Sequence, residues 1–191
     1  IFTGFGRTGR MFSCEHADIT PDLLCVSKAL TGGYLPLAAT LANEAIYEAF
    51  LSQDRSKTFF HGHSFTGNAL SCAVALESLA LFDDDDRLGR VREMESSFSQ
   101  HLAALAAFPH LASRIAEVRG IGGLAAIELS SEHGGYLDAL GPRLAAAFLD
   151  RGILLRPLGN VLYFLPPYVI TNEECSRVFA AIEEVLTTVM S

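Results

Sequence analysis

VSKALTGGYLPLAAT, Val26 to Thr40, sets a lysine between an apolar run and a double glycine, in a 191-residue chain whose other lysine is Lys57. Leu23 to Ser27 before it and Leu37 to Leu41 after it are short apolar runs bounded by turn residues, the pattern of strands in a sheet covered on both faces. A lysine that closes such a strand stands at the carboxyl edge of an α/β sheet, where ligands bind. Held in a site, its neutral form is favoured by desolvation or by nearby positive charge, and the amine can attack a carbonyl to form an imine. Thr31-Gly32-Gly33 leaves room beside Lys28 for a planar ligand. A surface lysine is the ordinary alternative.

Outward from this stretch, Ile1 to Thr3 reads as the end of a strand, and Asn43 as the cap of a helix running to about Leu51. Asn68 to Phe82 is Ala/Leu-rich and apolar almost all round, which predicts a buried helix. Asp83 to Asp86 put carboxylates ahead of Arg87-Leu88, as suits a helix N-terminus. Composition then shifts. Leu88 to Phe108 predicts an amphipathic helix, Ile121 to Leu129 a strand, and Pro142 to Asp150 a helix. Ile153 to Arg156 and Val161 to Leu165 predict a strand pair around Gly159-Asn160, and Glu173 to Val189 a last helix. The boundary falls at Asp83, giving a first domain over 1–83 and a second, small α/β domain over 84–191. No low-complexity linker separates them, so close packing is expected.

Half the residues are apolar, enough for a sizeable core. Fourteen basic against 22 acidic residues give a net charge of −8, without a basic stripe, which argues against nucleic acid and anionic membrane as partners. No apolar run of membrane-spanning length and no signal-peptide layout appears, so a cytoplasmic protein is expected. Cys14, Cys25, Cys72 and Cys175 are scattered, which predicts reduced, mostly packed thiols. The chain opens on Ile, as though mid-strand, and reads as the C-terminal part of something longer.

Gly4-Phe5-Gly6-Arg7-Thr8-Gly9 has dinucleotide-binding spacing, and Asp22 sits near the distance of a ribose-binding acid. The context is wrong, because no crossover helix follows before Pro21, and the glycines are expected to serve a tight loop. His61-Gly62-His63 lacks the third and fourth ligands of a zinc site, so no metal is expected. The run from His61 to Asn68, rich in glycine and hydroxyls just before a helix, suits an anion site instead. Arg156, between a short apolar run and Pro157, suits bidentate capture of a carboxylate; a structural ion pair is the alternative. A lysine set apart from a phosphate-binding loop is the arrangement pyridoxal phosphate requires.

TGFGRTGRMFSCEHADITPDLLCVSKALTGGYLPLAAT, HGHSFTGN and LLRPLGNVLYFLPPY together resemble the class III, fold-type I pyridoxal-phosphate aminotransferases. The resemblance is strongest to the branch that aminates 8-amino-7-oxononanoate to 7,8-diaminononanoate in biotin biosynthesis. It runs from Ile1 to the C-terminus and covers roughly the second half of a full-length member. It implies an α/β fold: the C-terminal part of a large, mostly parallel-sheet domain that binds the cofactor, then a small C-terminal α/β domain. Lys28 matches the lysine that holds the cofactor covalently and then moves a proton between substrate and cofactor. Ser64, with His63 beside it, matches the residue that binds the cofactor phosphate across a homodimer interface. Gly62 matches a substrate-contacting glycine, and Arg156 the arginine that holds the substrate carboxylate. The aspartate that pairs with the cofactor's pyridine nitrogen precedes Ile1 in that pattern, so these residues alone are expected to be inactive. His63-Ser64, where other members carry Pro-Thr, leaves S-adenosylmethionine and lysine both open as amino donor. An ω-aminotransferase acting on ornithine, 4-aminobutyrate or β-alanine is the alternative enzyme, and an inactive truncated product the non-enzymatic one.

Overall fold

A computed structural model describes residues 1–84, 86–131 and 134–189. The chain divides into two compact units, Ile1–Leu88 and Gly89–Ser191.

In the first unit, β1 (Leu23–Val26) pairs antiparallel with β2 (Ala39–Ala42), Val26 opposite Ala39. β2 starts two residues later than expected because the Leu37 carbonyl already accepts a hydrogen bond from Ser27 Oγ (2.7 Å). The expectation of strands covered on both faces does not hold within this unit. All four residues of β2 are exposed, and in β1 only Val26 is buried. Ile1 to Thr3 forms no strand; the amine of Ile1 makes one bond to the Cys25 carbonyl (3.1 Å) before the chain turns away. The glycine-rich stretch is the expected tight loop: Phe5 N–H and Gly6 N–H both donate to the Met11 carbonyl (2.7 and 3.3 Å). Asp22 supports Asn43 rather than a ribose, its carboxylate accepting from Asn43 Nδ2 (2.5 Å).

Asn43 caps α1 (Glu44–Glu48), its Oδ1 accepting from Ile46 N–H (3.0 Å). Beyond Glu48 the turn tightens, with Leu51 N–H bonding to the Glu48 carbonyl (3.1 Å), which carries it to the expected end. Asn68 Oδ1 likewise accepts from Ser71 N–H (3.0 Å) at the start of α2 (Ala69–Asp84). The predicted buried helix is largely exposed in this unit. Its small residues Ser71, Ala75 and Ser78 share one face, and Ser78 Oγ donates to the Ala29 carbonyl (3.3 Å), whereas Leu70 and Leu76 are 73% and 67% exposed. The unit supplies material to cover one face of an all-round apolar helix and none for the other. Of the acidic run, Asp83 and Asp84 finish α2, Asp86 precedes the next helix, and Asp85 lies outside the described residues.

The next helix, α3 (Arg87–Ala107), buries Val91, Met94, Phe98, Leu102 and Leu105, the three- and four-residue steps of one helical stripe. In the second unit β3 (Ile115–Ile121), β4 (Leu124–Leu129) and β5 (Val161–Phe164) form an antiparallel sheet in that order. The single strand expected over Ile121 to Leu129 is therefore the second half of a hairpin. Its two-residue turn is Gly122-Gly123, with Gly122 at φ +53° as such turns require. Ile153 to Arg156 is not a strand: β4 is the partner that β5 takes, and Leu155 is buried in the core. The helices α4 (Leu140–Leu149) and α5 (Asn172–Val189) lie near the expected bounds.

Ala125, Ile127 and Leu129 of β4, with Leu162 and Phe164 of β5, face Phe98, Leu144, Phe148, Phe179 and Ile182 in one continuous core. The rings of Phe98, Phe164 and Phe179 meet pairwise with centroids 5.3 to 5.8 Å apart. Thr171 and Glu174 form a capping box on α5: Glu174 N–H donates to Thr171 Oγ1 (3.2 Å), and Thr171 N–H to Glu174 Oε2 (2.8 Å). The Thr171 amide, and then the Thr171 hydroxyl donating to the same Oε2 (3.0 Å), hold the Glu174 carboxyl below its ordinary range.

Cys175 is buried, and desolvation pushes its thiol up. Cys25 and Cys72 are exposed in this unit, against the expectation of packed thiols, because the strand and helix faces that carry them are uncovered. No described helix is long and apolar enough to cross a membrane.

Candidate active site

Lys28 follows β1 after one residue, Ser27, and opens a 3₁₀ turn, Lys28–Thr31. Its backbone sits at φ +48°, in the left-handed region that side-chain-bearing residues avoid. Holding it there costs of order 1 kcal/mol, which the surroundings must supply. They do so on both sides of the lysine. Leu30 N–H donates to the Ser27 carbonyl (3.1 Å), and buried Thr31 turns its hydroxyl onto the Leu35 carbonyl (2.5 Å). The Ser27–Leu37 bond closes the base of the same loop. Gly32 and Gly33, at φ +60° and +86°, let the chain reverse at once. The outcome is a fixed backbone carrying an exposed amine, which an ordinary surface lysine does not need.

A cleft of about 580 Å³ lies beside this loop, walled by Ser27 and Leu35–Ala38 on one side and by His63 and Phe65–Asn68 on the other. The second wall is a self-bracing turn. His63 N–H donates to Thr66 Oγ1 (3.0 Å), Thr66 N–H to the His63 carbonyl (3.0 Å), and Phe65 N–H to His63 Nδ1 (3.1 Å). Ser64, between these braces, is exposed, and its hydroxyl has no hydrogen-bond partner among the described residues. Gly62 is exposed too, and a Cβ there would approach nothing nearer than Thr66 Oγ1 at 4.0 Å. Lys28, Gly62 and Ser64 stand outside the residues that line this cleft, while Ser27 and His63 line it.

Arg156 belongs to the other unit. It is exposed, on the rim of a cleft of about 410 Å³ shared with Tyr136, Leu137, Asp138 and Pro157. Among the described residues it has no carboxylate partner, unlike Arg151, paired with Glu184 at 2.7 Å, and Arg119, paired with Glu128 at 3.0 Å. Those pairs keep the Arg151 and Arg119 guanidiniums charged more firmly and depress Glu184. A guanidinium left without a partner is available to a carboxylate from outside the chain.

The bracing roles of Ser27, Thr31 and Thr66 were not expected from the sequence, where Thr31 counted as part of the Thr31-Gly32-Gly33 run and Thr66 as part of the His61–Asn68 loop. A signal existed for each: a hydroxyl flanking or shortly following the lysine, and a threonine three residues after His63, the spacing of a local side-chain brace.

The class-III aminotransferase family model matches residues 1–186. This chain belongs to the class-III aminotransferases. It is 48% identical to the adenosylmethionine-8-amino-7-oxononanoate aminotransferase of Synechococcus elongatus over 97% of this chain and 42% of that protein. With the protein of the same name from Geobacter sulfurreducens it shares 43% identity, over 99% of this chain and 42% of the relative. The crystal structure of the enzyme so named from Methanocaldococcus jannaschii superposes with a TM-score of 0.87 at 38% identity, covering 96% of this chain and 43% of that one. An acetylornithine aminotransferase from Elizabethkingia anophelis superposes at 0.80 with 33% identity. The class-III chain described here thus has the expected fold-type I architecture, and it spans about two-fifths of the length of these relatives.

Proposed function

We propose that the whole protein is a pyridoxal-phosphate-dependent aminotransferase that converts 8-amino-7-oxononanoate to 7,8-diaminononanoate in biotin biosynthesis. The amino donor is S-adenosylmethionine or lysine. The observation that carries this reading is Lys28, an exposed amine on a backbone pinned in a costly conformation at the end of β1, in a chain whose relatives bear that enzyme's name.

The residues fit the cofactor in kind: a primary amine for its aldehyde and, on a separate braced turn, a free hydroxyl for its phosphate. When bound, pyridoxal phosphate supplies an electron-withdrawing ring that eases removal of a proton from the carbon bearing the amine. Lys28 Nζ would hold the cofactor and, as a free amine, would move that proton. Ser64 Oγ donates to the phosphate, with His63 beside it. Gly62 leaves the backbone open to the substrate. Arg156 grips the substrate carboxylate, which fixes the chain end of the keto acid and leaves its carbonyl to react.

We read residues 1–83 as part of the cofactor-binding large domain and 84–191 as the small domain. The protein would work in the cytoplasm as a homodimer, Ser64 of one copy serving Lys28 of the other. Under that arrangement Ser64 and Lys28 of one chain need not share a cleft.

In the whole protein, Lys28→Ala should abolish the visible absorbance of bound cofactor and lower kcat by about 10⁴-fold, near the upper range for loss of a proton-transferring group. An unchanged band would remove Lys28 from this role. Turnover of ornithine, 4-aminobutyrate or β-alanine, with none of 8-amino-7-oxononanoate, would overturn the substrate.

A further inference from the structure

We propose that Asn160 is a positioning residue for Arg156, its buried carboxamide fixing the turn that places the guanidinium against a substrate carboxylate. This rests on the carboxylate-binding reading of Arg156 given above.

Asn160 is 7% exposed. Its Nδ2 donates to the Leu129 carbonyl at the end of β4 (2.9 Å), its Oδ1 accepts from Gly135 N–H (2.8 Å), and its own carbonyl accepts from Leu129 N–H (2.9 Å). One residue therefore ties together three pieces of chain: the end of β4, the segment at Gly135, and the turn Leu158–Val161. That turn is tight, Leu158 N–H donating to the Val161 carbonyl (2.8 Å) and Val161 N–H to the Leu158 carbonyl (3.0 Å). Gly159 stands in it at φ +60°, and a Cβ there would strike the Gly135 carbonyl, so turn and segment meet backbone to backbone.

Arg156 is caught between fixed points. Leu155 before it is buried in the core, Pro157 after it has a restricted φ, and the Asn160 turn follows. The opposite wall of its cleft, Tyr136 to Asp138, continues from the same Gly135 that Asn160 holds. Asp138 is the acidic side chain of that wall. It accepts from Ser131 Oγ and from Leu140 N–H (2.8 Å), bonds that occupy its carboxylate within its own segment. Asn160 thus sets both the guanidinium's anchor and the wall it faces. A bidentate grip tolerates little misplacement, because both N–H···O bonds depend on orientation.

The test is kinetic, on the whole protein. Asn160→Ala should raise KM for 8-amino-7-oxononanoate about tenfold, the size of one weakened charge-assisted bond, with kcat within about twofold of wild type. The methyl ester of the same keto acid, which offers no carboxylate, should show the same KM with wild type and variant. Added to Arg156→Ala, the change should have no further effect. Asn160→Asp keeps the Oδ1 acceptor for Gly135, and burial against the Leu129 carbonyl favours its protonated form, whose hydroxyl can donate there in place of Nδ2; it should give a smaller rise in the same KM, and it serves if the alanine variant does not fold. Loss of kcat with acid and ester alike would mean a merely structural role and overturn the proposal. So would an unchanged KM in Asn160→Ala where Arg156→Ala raises it. If Arg156→Ala itself leaves KM unchanged, the carboxylate-binding reading has failed first.

Discussion

The two units treat their apolar residues in opposite ways. In Gly89–Ser191, Phe98, Phe148, Leu144, Ile127, Ile182 and Leu186 are all but fully buried in one cluster that joins three helices to one face of the sheet. In Ile1–Leu88 the buried apolar cluster comprises Phe5, Val26, Leu30 and Ala75, while Phe60, Phe65, Leu70 and Leu76 stand exposed. Yet it is the first, less closed unit that carries Lys28 and Ser64. One unit buries its large apolar side chains among its own residues, while the other leaves several of them exposed, Phe60, Phe65, Leu70 and Leu76 among them. A site shared between copies, as proposed for Ser64 and Lys28, would put that surface to use.

The contrast between the units is largest in their cores. Phe148→Ala removes a fully buried ring and should cost about 3–5 kcal/mol in a denaturant melt of the 191-residue chain. Leu76→Ala, on the exposed side of α2, should stay within about 0.5 kcal/mol in the same chain. In the whole protein the second value should rise to about 2 kcal/mol or more if α2 is covered there, as its all-round apolar sequence demands. A small effect in both settings would mean that the exposed face is a true surface.

Next in size is the α5 capping box. Thr171→Ala should lower stability by about 1 kcal/mol. The charge of Glu174 adds a pH signature. Its carboxyl is held below the ordinary value by the Thr171 amide and hydroxyl, so its contribution is present above about pH 4.3 and is lost as pH falls through the lower folded value. Glu174→Gln should therefore be less stable than wild type at neutral pH and converge with it in acid. A deficit that persists in acid would assign the effect to something other than the carboxylate. The smallest effect expected is at Arg151 and Glu184, an exposed pair whose removal should shift the thermal midpoint only slightly, and less still as salt is raised.

Much of this was legible in the sequence because local chemistry decided it. Asn43 capped the helix expected of it, and α3 followed its hydrophobic stripe. The Lys28 loop fell where an apolar run met a double glycine. What failed was whatever depended on distant partners. β3 was missed because Glu117 and Arg119 interrupt its apolar pattern; they are tolerated because Arg119 bridges Glu117 and Glu128 across the exposed face of the hairpin. Ile153 to Arg156 looked like a strand by composition, but Leu155 goes to the core. The burial of α2 was misjudged for the opposite reason: its sequence reports a covered helix, and its own unit covers one side. At the site, Lys28 and Arg156 could be named from sequence. The braces that fix them, Ser27, Thr31 and Asn160, act through hydrogen bonds to main-chain groups 4 to 31 residues away; hydroxyls near the lysine hint at the first two, but the partners they take are set by the fold.

The central claim is that Lys28, on its pinned turn, is the residue that holds pyridoxal phosphate. Borohydride reduction of the cofactor-loaded whole protein, followed by digestion and mass mapping, tests it most directly. The reduced phosphopyridoxyl group should be found on the peptide containing Lys28. Finding the group on Lys57, or on no peptide of this chain, would contradict it.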